Sequence, residues 1–508
     1  MVDHLGQVLP AAAQRYGAKP ALIFGDRPFS FNDLCNYSGQ LANGLRQLGI
    51  RPGDRVTLYA PNSWEWIVSY YAIVRLGAVI NPINVMLTPE EVRFIVQDCG
   101  AKILIAAPAQ GQPLLAAGGD TPLQEIILLG DDVPAGARSF NALLAQNRPE
   151  FDDASVAPDS LATIAYTSGT TGYPKGAMLS HRAVLLNAAM TATMHVRTAA
   201  DTAVNALPLP HVYGNVIMNG AFLCGMTLVL LERFHKAAVL EAIQRYRATI
   251  FEGVPTMYMY LLTYPDLENY DRSSLTRCTV GGQTMPVAKM QEVEARFGCP
   301  LLEVWGVTEI AGAGTTHPLY GPTRHGSIGI AVPSMECRIA DLHDAHTTLG
   351  ADQIGELLVR GPLVMQGYYG NTEATRATIA PDGWLHSGDV ARMDAEGYIF
   401  IVDRKNDLII TGGYNIYPAE LERVIAAHPA VALVAVGSQP DAVKGELAKA
   451  YVVLKAGAQA DAESILAFCR AHLAAYKVPR AVQFVADLPK TSTGKIMRRP
   501  LRTLDVAA

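Results

Sequence analysis

A short stretch of the chain combines hydroxyl groups, glycines and a lysine. Such a loop can wrap a polyphosphate through side-chain hydroxyls, backbone N–H groups and positive charge. Glycine permits the tight turns and the close backbone approach that this wrapping needs. The GxxxxGK[ST] spacing of the Walker A loop is absent, and composition alone leaves a flexible surface linker as an equal alternative. The residues concerned are Thr167, Ser168, Gly169, Thr170, Thr171, Gly172 and Lys175.

The full string of residues 166–181, YTSGTTGYPKGAMLSH, resembles the phosphate-loop signature of the adenylate-forming (AMP-binding) superfamily, in its acyl-CoA synthetase or acid–thiol ligase branch. The resemblance extends over nearly the whole chain and implies ATP-dependent activation of a carboxylic acid as an acyl-adenylate. Six further segments follow in the family order: LPLPHVYG (207–214), VGGQTMP (280–286), WGVTE (305–309), GWLHSGDV (383–390), YIFIVDRKND (398–407) and LPKTSTGK (488–495).

The resemblance assigns the adenine, the phosphates and the metal to the middle segments. Trp305 stands at the usual tyrosine position and is expected to stack on adenine. Thr308 is expected to donate to the α-phosphate. Glu309 offers a carboxylate oxygen of the kind that Mg²⁺ prefers, with Thr171 as a further metal ligand. Gln283 replaces the more common alanine, which indicates a reshaped base or acyl pocket. The other expected nucleotide contacts are Gly281, Gly282 and Gly306.

The same resemblance assigns residues to ribose binding, to a gate and to the hinge. Asp389 is expected to accept hydrogen bonds from both ribose hydroxyls, and Arg404 to reach the ribose or a phosphate. His211 is expected to act as an aromatic gate between the ATP site and the carboxylate pocket, although Pro210 departs from the usual aromatic residue. Without the family, His211 reads as a buried histidine bonded to a backbone carbonyl. Asn406 occupies the hinge position, which is commonly Asp or Lys in relatives.

Lys495 matches the catalytic lysine of the family. A positioned ammonium stabilises the negative charge that builds on phosphoryl oxygens when the carboxylate attacks the α-phosphorus. Lys490 is the competing candidate, and the TSTGK context favours Lys495. The resemblance implies that Lys495 serves only this first half-reaction. The C-terminal domain then rotates and presents a loop with Gly412, Gly413 and Tyr414 to the thiol channel.

The acid pocket is expected to be apolar. It holds no basic residue, which argues against a dicarboxylate whose distal charge would lack a partner. Small residues are expected to leave space for a bulky or elongated acid, so fatty and aryl acids both remain open. The pocket residues are Val212, Tyr213, Val216, Met218, Gly306, Ala311 and Gly312.

The acceptor is expected to be coenzyme A, with ATP and Mg²⁺ as the other cofactors. A free-standing carrier protein remains an alternative acceptor, and a luciferase-like monooxygenase shares these motifs. A non-catalytic nucleotide-binding module is disfavoured, because Glu309, Asp389 and Lys495 are all present.

Composition agrees with a globular enzyme. The chain has 508 residues, half of them hydrophobic and 17% charged, with a net charge of -6. That charge gives no sign of a nucleic-acid partner. Seven scattered cysteines favour a reducing cytoplasm, and no membrane anchor is expected, because the apolar run at 216–231 reads as a buried helix followed by a strand. A monomer or a homodimer is expected.

The elements that must position these residues alternate between strands and amphipathic helices. This alternation predicts an α/β fold with two helix-covered, mostly parallel sheets. Residues 107–160 read as a surface linker, and 326–403 as a small antiparallel sheet or distorted barrel. A small mobile α+β domain follows. The predicted boundaries are 1–403 for the N-terminal domain, 404–407 for the hinge and 408–508 for the C-terminal domain.

Overall fold

The computed structural model of the chain describes residues 2–117, 121–167, 174–411, 414–441, 444–491, 496–498 and 500–501. The side chains of residues 117, 406, 414 and 415 are not described. Within these ranges no helix combines the length and the apolar character needed to cross a bilayer.

Helices alternate with strands through most of the chain, as the sequence predicts. Short 3-10 helices occur at Leu5–Gln7, Leu267–Asn269, Thr308–Ile310 and Lys405–Asp407. The α-helices are α1 Val8–Tyr16, α2 Phe31–Gln47, α3 Trp64–Arg75, α4 Pro89–Cys99, α5 Pro108–Ala117, α6 Phe140–Ala145, α7 His181–Met194, α8 Val212–Cys224, α9 Lys236–Tyr246, α10 Pro255–Leu262, α11 Val287–Phe297, α12 Thr372–Thr378, α13 Pro418–Ala426 and α14 Ala462–His472.

The strands are mostly short. They are β1 Pro20–Phe24, β2 Arg27–Ser30, β3 Arg55–Tyr59, β4 Val79–Pro82, β5 Ile103–Ala106, β6 Glu125–Leu128, β7 Arg138–Ser139, β8 Leu161–Thr167, β9 Lys175–Ser180, β10 Thr202–Asn205, β11 Thr227–Leu230, β12 Ile250–Gly253, β13 Arg277–Gly281, β14 Leu301–Val307, β15 Gly312–Thr316, β16 Ile330–Ala331, β17 Glu336–Ala340, β18 Gly355–Arg360, β19 Leu385–Met393, β20 Ile399–Arg404, β21 Ile409–Thr411, β22 Tyr414–Ile416, β23 Val431–Asp441, β24 Gly445–Leu454 and β25 Ala481–Phe484.

Two large sheets dominate the fold. The nine-stranded sheet has the order β16-β15-β14-β13-β12-β10-β11-β1-β2 and is parallel from β14 to β1. The seven-stranded sheet has the order β7-β6-β5-β3-β4-β8-β9 and is antiparallel only between β8 and β9. Side chains of α2, α3 and α8 join those of both sheets in the largest apolar cluster. The predicted α/β fold class is therefore confirmed.

Two smaller sheets follow. Strands β17 to β20 form a four-stranded antiparallel sheet, the first of the two alternatives predicted for residues 326–403. In the C-terminal domain, β21 to β25 form a five-stranded sheet that packs with α13 and α14 around its own apolar cluster. Each unit thus has a separate core, as expected for independently folded parts of a chain.

Local signals place several of these elements. Thr88 and Glu91 form the expected capping box at the start of α4, and Gly100 ends that helix in the left-handed conformation. The apolar run at 216–231 is the expected helix and strand, α8 and β11, separated by a left-handed Gly225. The linker prediction for 107–160 is wrong. That segment contains α5, β6, β7 and α6, and its strands extend the seven-stranded sheet.

A fully buried ion pair lies beside the nine-stranded sheet. Arg197 Nη2 is 2.7 Å from Glu252 Oε1, and the two side chains are 2% and 0% exposed. Thr279 on the neighbouring strand β13 donates to the other oxygen of Glu252. Charges this deep are tolerated only when each is compensated, so removing one partner costs far more than removing an exposed pair.

Replacing Arg197 with methionine should leave Glu252 buried without its cation. We expect a loss of unfolding free energy of about 3–5 kcal/mol, read as a lower urea midpoint by tryptophan fluorescence. The matched control is Arg245→Met, which breaks the exposed pair with Asp26 and should cost no more than about 1 kcal/mol. Equal midpoints for the two variants would show that the buried pair is not structurally important.

Candidate active site

Asp389 lies where the four-stranded sheet meets the nine-stranded sheet. It sits in β19, opposite Arg404 at the end of β20. The Arg404 Nε atom is 2.8 Å from Asp389 Oδ1, and the Trp305 indole N–H donates to Oδ2 at 2.8 Å. The Asp389 side chain is 3% exposed. One donor on each oxygen fixes the plane of the carboxylate, which is what bidentate recognition of two hydroxyls requires.

Trp305 and Arg404 therefore have a placement that the sequence did not indicate. Both were expected to contact the nucleotide directly, through stacking and through the ribose or a phosphate. In the structure both also hold Asp389, the residue expected to bind the ribose. Trp305 is almost fully buried.

Glu309 occupies the 3-10 helix that follows β14, directly after Thr308. The Tyr368 hydroxyl donates to Glu309 Oε1 at 2.7 Å, and the Met365 N–H donates to the Glu309 carbonyl at 2.8 Å. Burial, followed by the charge of Glu309, raises the pKa of Tyr368, so its hydroxyl stays a donor at neutral pH. A half-buried, oriented carboxylate of this kind fits Mg²⁺, which proteins commonly hold by one or two carboxylates together with substrate phosphates.

The two ends of the glycine- and threonine-rich loop are close together. Thr167 and Lys175 are partners in the antiparallel pair β8–β9. Lys175 Nζ lies 5.5 Å from the centre of the Tyr368 ring, so this end of the loop adjoins the carboxylate of Glu309. The loop residues Ser168, Gly169, Thr170, Thr171 and Gly172 lie outside the described residues.

Tyr368 reaches Glu309 because its segment pairs with β9. The Met178 N–H donates to the Gly367 carbonyl, and the Gln366 N–H returns a bond to the Met178 carbonyl, both at 2.9 Å. The sequence indicated only that this stretch favours β-structure. The glycine-flanked tyrosine pair was the available signal, but its partner strand is distant in sequence.

The segment that is expected to contact adenine lies on two closely spaced strands, β13 and β14. Gly281 ends β13, and a β-carbon there would lie 2.8 Å from the Val304 carbonyl oxygen of β14. Gly282 has a φ of +88°, which favours glycine. Gln283 turns toward the C-terminal domain, where its amide bonds to the backbone of Ile496.

Asn187 of α7 holds the loop that connects β14 to β15. Its amide donates to the Ile310 and Ala313 carbonyls at 3.0 and 2.9 Å, and its oxygen accepts from the Ala313 N–H at 3.1 Å. Between these contacts, Ala311 adopts a left-handed φ of +59°. The sequence reasoning missed Asn187, because a single asparagine in a helix shows no partner in sequence.

One of the expected pocket residues is held by a polar contact, whereas three others pack against apolar or small neighbours. Tyr213 is held by its hydroxyl, which lies 2.8 Å from Thr279 Oγ1 and so connects to the buried Glu252. Burial and the Glu252 charge raise the pKa of Tyr213, so the phenol stays neutral. Val216 lies against Gly312, whereas Met218 is completely buried in the largest apolar cluster. Val212 is partly buried against the same cluster.

The expectation that small residues leave space is wrong at two glycines. A β-carbon at Gly306 would lie 1.8 Å from the Gly312 carbonyl oxygen. One at Gly312 would lie 2.5 Å from Val216 Cγ2. These glycines therefore allow β14, β15 and α8 to approach each other. The space that a side chain would occupy is filled by the neighbouring elements and is not open to an acid.

His211 caps α8. Its Nδ1 accepts the Tyr213 N–H at 3.2 Å, and the residue is exposed. The alternative of a buried histidine bonded to a backbone carbonyl is therefore wrong. An exposed ring at the start of α8, next to Tyr213, has the access that a gate would need.

The C-terminal domain is docked on the large body. Lys490 Nζ donates to the Tyr260 hydroxyl at 2.9 Å and also contacts Asp487. Lys495, Gly412 and Gly413 lie outside the described residues, as do the side chains of Tyr414 and Asn406.

One arginine gathers the carboxylates around the predicted hinge. Arg498 contacts Asp403 at 2.7 Å, Asp407 at 3.0 Å and Glu422 at 2.7 Å. Asp403 is the penultimate residue of β20 and also accepts the Ala419 N–H at the start of α13. Burial raises the pKa of Asp403. The junction between the two domains is therefore joined by charge as well as by the chain.

Two family models match the chain. The model described as AMP-binding enzyme covers residues 9–369, and the AMP-binding enzyme C-terminal domain covers residues 420–495. The first alone spans well over half of the chain.

Similar proteins agree with this match. A long-chain-fatty-acid–CoA ligase of Bacillus subtilis strain 168 is 35% identical, over 98% of this chain and 94% of that protein. A feruloyl-CoA synthase of an Amycolatopsis species is 36% identical, over 95% of each chain. The crystal structure of an anthranilate CoA ligase with anthranoyl-AMP has a TM-score of 0.93 and 31% identity, over 99% of this chain and 98% of that one.

The two family models and these relatives point to the same family. Enzymes of this kind use ATP, Mg²⁺ and coenzyme A. The chain belongs to the adenylate-forming (AMP-binding) superfamily, in its acyl-CoA synthetase branch, and is an AMP-forming carboxylate–CoA ligase.

Proposed function

We propose that this ligase activates an apolar monocarboxylic acid, either a medium- or long-chain fatty acid or an aryl acid of the benzoate or cinnamate type. The proposal rests on one observation: the polar groups around Tyr213 are already paired with protein partners. The Tyr213 hydroxyl forms a hydrogen bond with Thr279, and the nearby Arg197 forms an ion pair with Glu252. A second carboxylate in the pocket would have to displace one of these buried partners.

Three of the relatives support the same two acid classes. Those described above are named for a long-chain fatty acid, for ferulate and for anthranilate. All three names refer to acids with a large apolar or aromatic part.

We propose the following roles for the site residues. Asp389, held by Trp305 and Arg404, binds the ribose hydroxyls, while the loop at 167–175 surrounds the β- and γ-phosphates. Mg²⁺ bound at Glu309, with Thr171 as a further ligand, would neutralise phosphate charge. His211 gates the acid pocket beside Tyr213.

The reaction proceeds in two half-reactions. A carboxylate oxygen attacks the α-phosphorus, the bond to the β-phosphate oxygen breaks, and acyl-AMP and pyrophosphate form. The CoA thiol then attacks the acyl carbon, loses its proton, and releases AMP. Lys495 stabilises charge only in the first step. We place the hinge at 404–407, between domains at 1–403 and 408–508.

We also propose a reducing compartment such as the cytoplasm. All seven cysteines are free thiols. Cys278 and Cys299 remain unbonded although their sulfur atoms are only 3.6 Å apart. Disulfides are rare in reducing compartments, so free thiols agree with this proposal.

The acid class is tested with matched acids that differ only in a distal charge. AMP release is measured with octanoate against suberate, and with benzoate against terephthalate. For at least one pair, we expect kcat/KM of the monoacid to exceed that of the diacid by about a hundredfold or more, because an unpaired buried carboxylate costs several kcal/mol. Equal turnover of the diacid and its monoacid in both pairs would contradict the proposal.

Replacing Lys495 with alanine should separate the half-reactions. We expect acid-dependent ATP–pyrophosphate exchange to fall about 100- to 1000-fold, as for loss of other groups that stabilise transition-state charge. Thioester formation from pre-made acyl-AMP should largely survive. Lys455→Ala, an exposed lysine of the same domain, is the control. Equal loss of both half-reactions would refute the assignment.

Replacing Tyr368 with phenylalanine should weaken metal use. The variant loses the hydrogen bond that orients Glu309, so the Mg²⁺ concentration for half-maximal rate should rise about tenfold, since hydrogen bonds to charged groups are the strong ones. Tyr369→Phe is the matched control, because its neighbouring ring packs against a different apolar cluster. The same Mg²⁺ dependence in both variants would exclude this role for Tyr368.

A further inference from the structure

We infer that Gln283 is a positioning residue for the adenylation half-reaction, because its side chain docks the C-terminal hairpin on the large body. This name refers to residues 489–491 and 496–497, which the Lys490–Ile496 bridge pairs. The inference rests on the proposed function, in which Lys495 acts in that half-reaction. Gln283 was expected to shape the base or acyl pocket. Its contacts in the structure point instead to the other domain.

The hairpin belongs to the C-terminal domain. Lys490 and Ile496 form an antiparallel bridge, and the Met497 N–H donates to the Pro489 carbonyl at 2.8 Å. Leu488 and Ile496 pack with Tyr451 of β24 in a small apolar cluster. Any contact to this hairpin therefore acts on the C-terminal domain as a body.

Gln283 bonds to both backbone groups of one hairpin residue. The Ile496 N–H donates to Gln283 Oε1 at 3.1 Å, and Gln283 Nε2 donates to the Ile496 carbonyl at 3.4 Å. The amide thus pairs with the backbone as a neighbouring strand would. Alanine, the more common residue here, has neither group.

A second contact holds the other leg of the hairpin. Lys490 Nζ donates to the Tyr260 hydroxyl at 2.9 Å and lies 5.5 Å from the centre of that ring. Tyr260 in turn stacks on Phe234, with ring centres 6.4 Å apart. Two anchors on separate legs restrict the rotation of the hairpin as well as its distance from the large body.

This docking bears on Lys495 because Ile496 follows it directly in the chain. Fixing Ile496 limits the positions that the preceding residue can reach, and a catalytic group misplaced by about 1 Å can cost a hundredfold in rate. The contacts connect two domains, so they must break when the C-terminal domain rotates. Gln283 therefore favours the adenylating orientation of the C-terminal domain, because its contacts exist in that orientation and are lost in the other.

The test compares two variants with a matched control. Gln283→Met keeps the length of the side chain but cannot hydrogen bond, whereas Gln283→Glu keeps the acceptor and loses the donor. We expect kcat of ATP–pyrophosphate exchange to fall about tenfold in the methionine variant and less in the glutamate variant. KM for ATP should change less than about threefold, because the docking contact does not touch the nucleotide. Thioester formation from pre-made acyl-AMP should be unchanged or faster.

Gln353→Met is the control, because it removes the hydrogen bond that the Gly350 N–H donates to the side chain of an exposed glutamine on a distant loop. Its exchange rate should match that of the unaltered enzyme. A raised KM for ATP with unchanged kcat in Gln283→Met would overturn the inference in favour of an adenine contact. Exchange at the unaltered rate would overturn it as well.

Hydrogen–deuterium exchange tests the docking independently of activity. The Ile496 amide should exchange about tenfold faster in Gln283→Met than in the unaltered enzyme, because its hydrogen bond is lost. Unchanged protection would overturn the inference. If no acid supports pyrophosphate exchange in the unaltered enzyme, the proposed function fails, while this measurement still decides whether Gln283 docks the hairpin.

Discussion

A buried carboxylate must be held by donors, and in this enzyme that requirement ties the architecture together at Asp389. The indole that bonds to one oxygen comes from the nine-stranded sheet, whereas the guanidinium on the other oxygen ends the four-stranded sheet at the entrance to the C-terminal domain. The position of the nucleotide site therefore depends on how these parts meet. A shift of one sheet relative to the other would remove the indole donor and leave one oxygen of the buried carboxylate without that partner.

The same arrangement recurs around Glu309. Its carboxylate comes from the nine-stranded sheet, its hydroxyl donor comes from the segment that pairs with β9, and β9 belongs to the seven-stranded sheet. Here the carboxylate and the hydroxyl that orients it come from segments that belong to different sheets. Such a site forms only when the units are assembled, which suits an enzyme whose reaction is expected to alternate between two domain orientations.

Much of this site could be predicted from the sequence, because the motifs are contiguous strings with local turn chemistry. The Thr88 capping box and the left-handed glycines are equally local. The groups that orient the motifs were missed because they act over long distances. The partner of Gln283 is 213 residues away, and that of Asn187 lies 123 to 126 residues away. Small residues were misread for a related reason, since a sequence does not show what a glycine faces.

The close approach at Gly306 and Gly312 constrains how such enzymes can diverge. These positions already carry the smallest side chain and face backbone or Val216, so no substitution there can enlarge the acid pocket. In the expected pocket, positions on α8 can still vary, because that helix faces Gly312 through Val216 while the strands next to Glu309 keep their spacing. Selection can then change the acid and leave adenylate chemistry intact. Redesign of this enzyme for another acid would begin on that helix for the same reason.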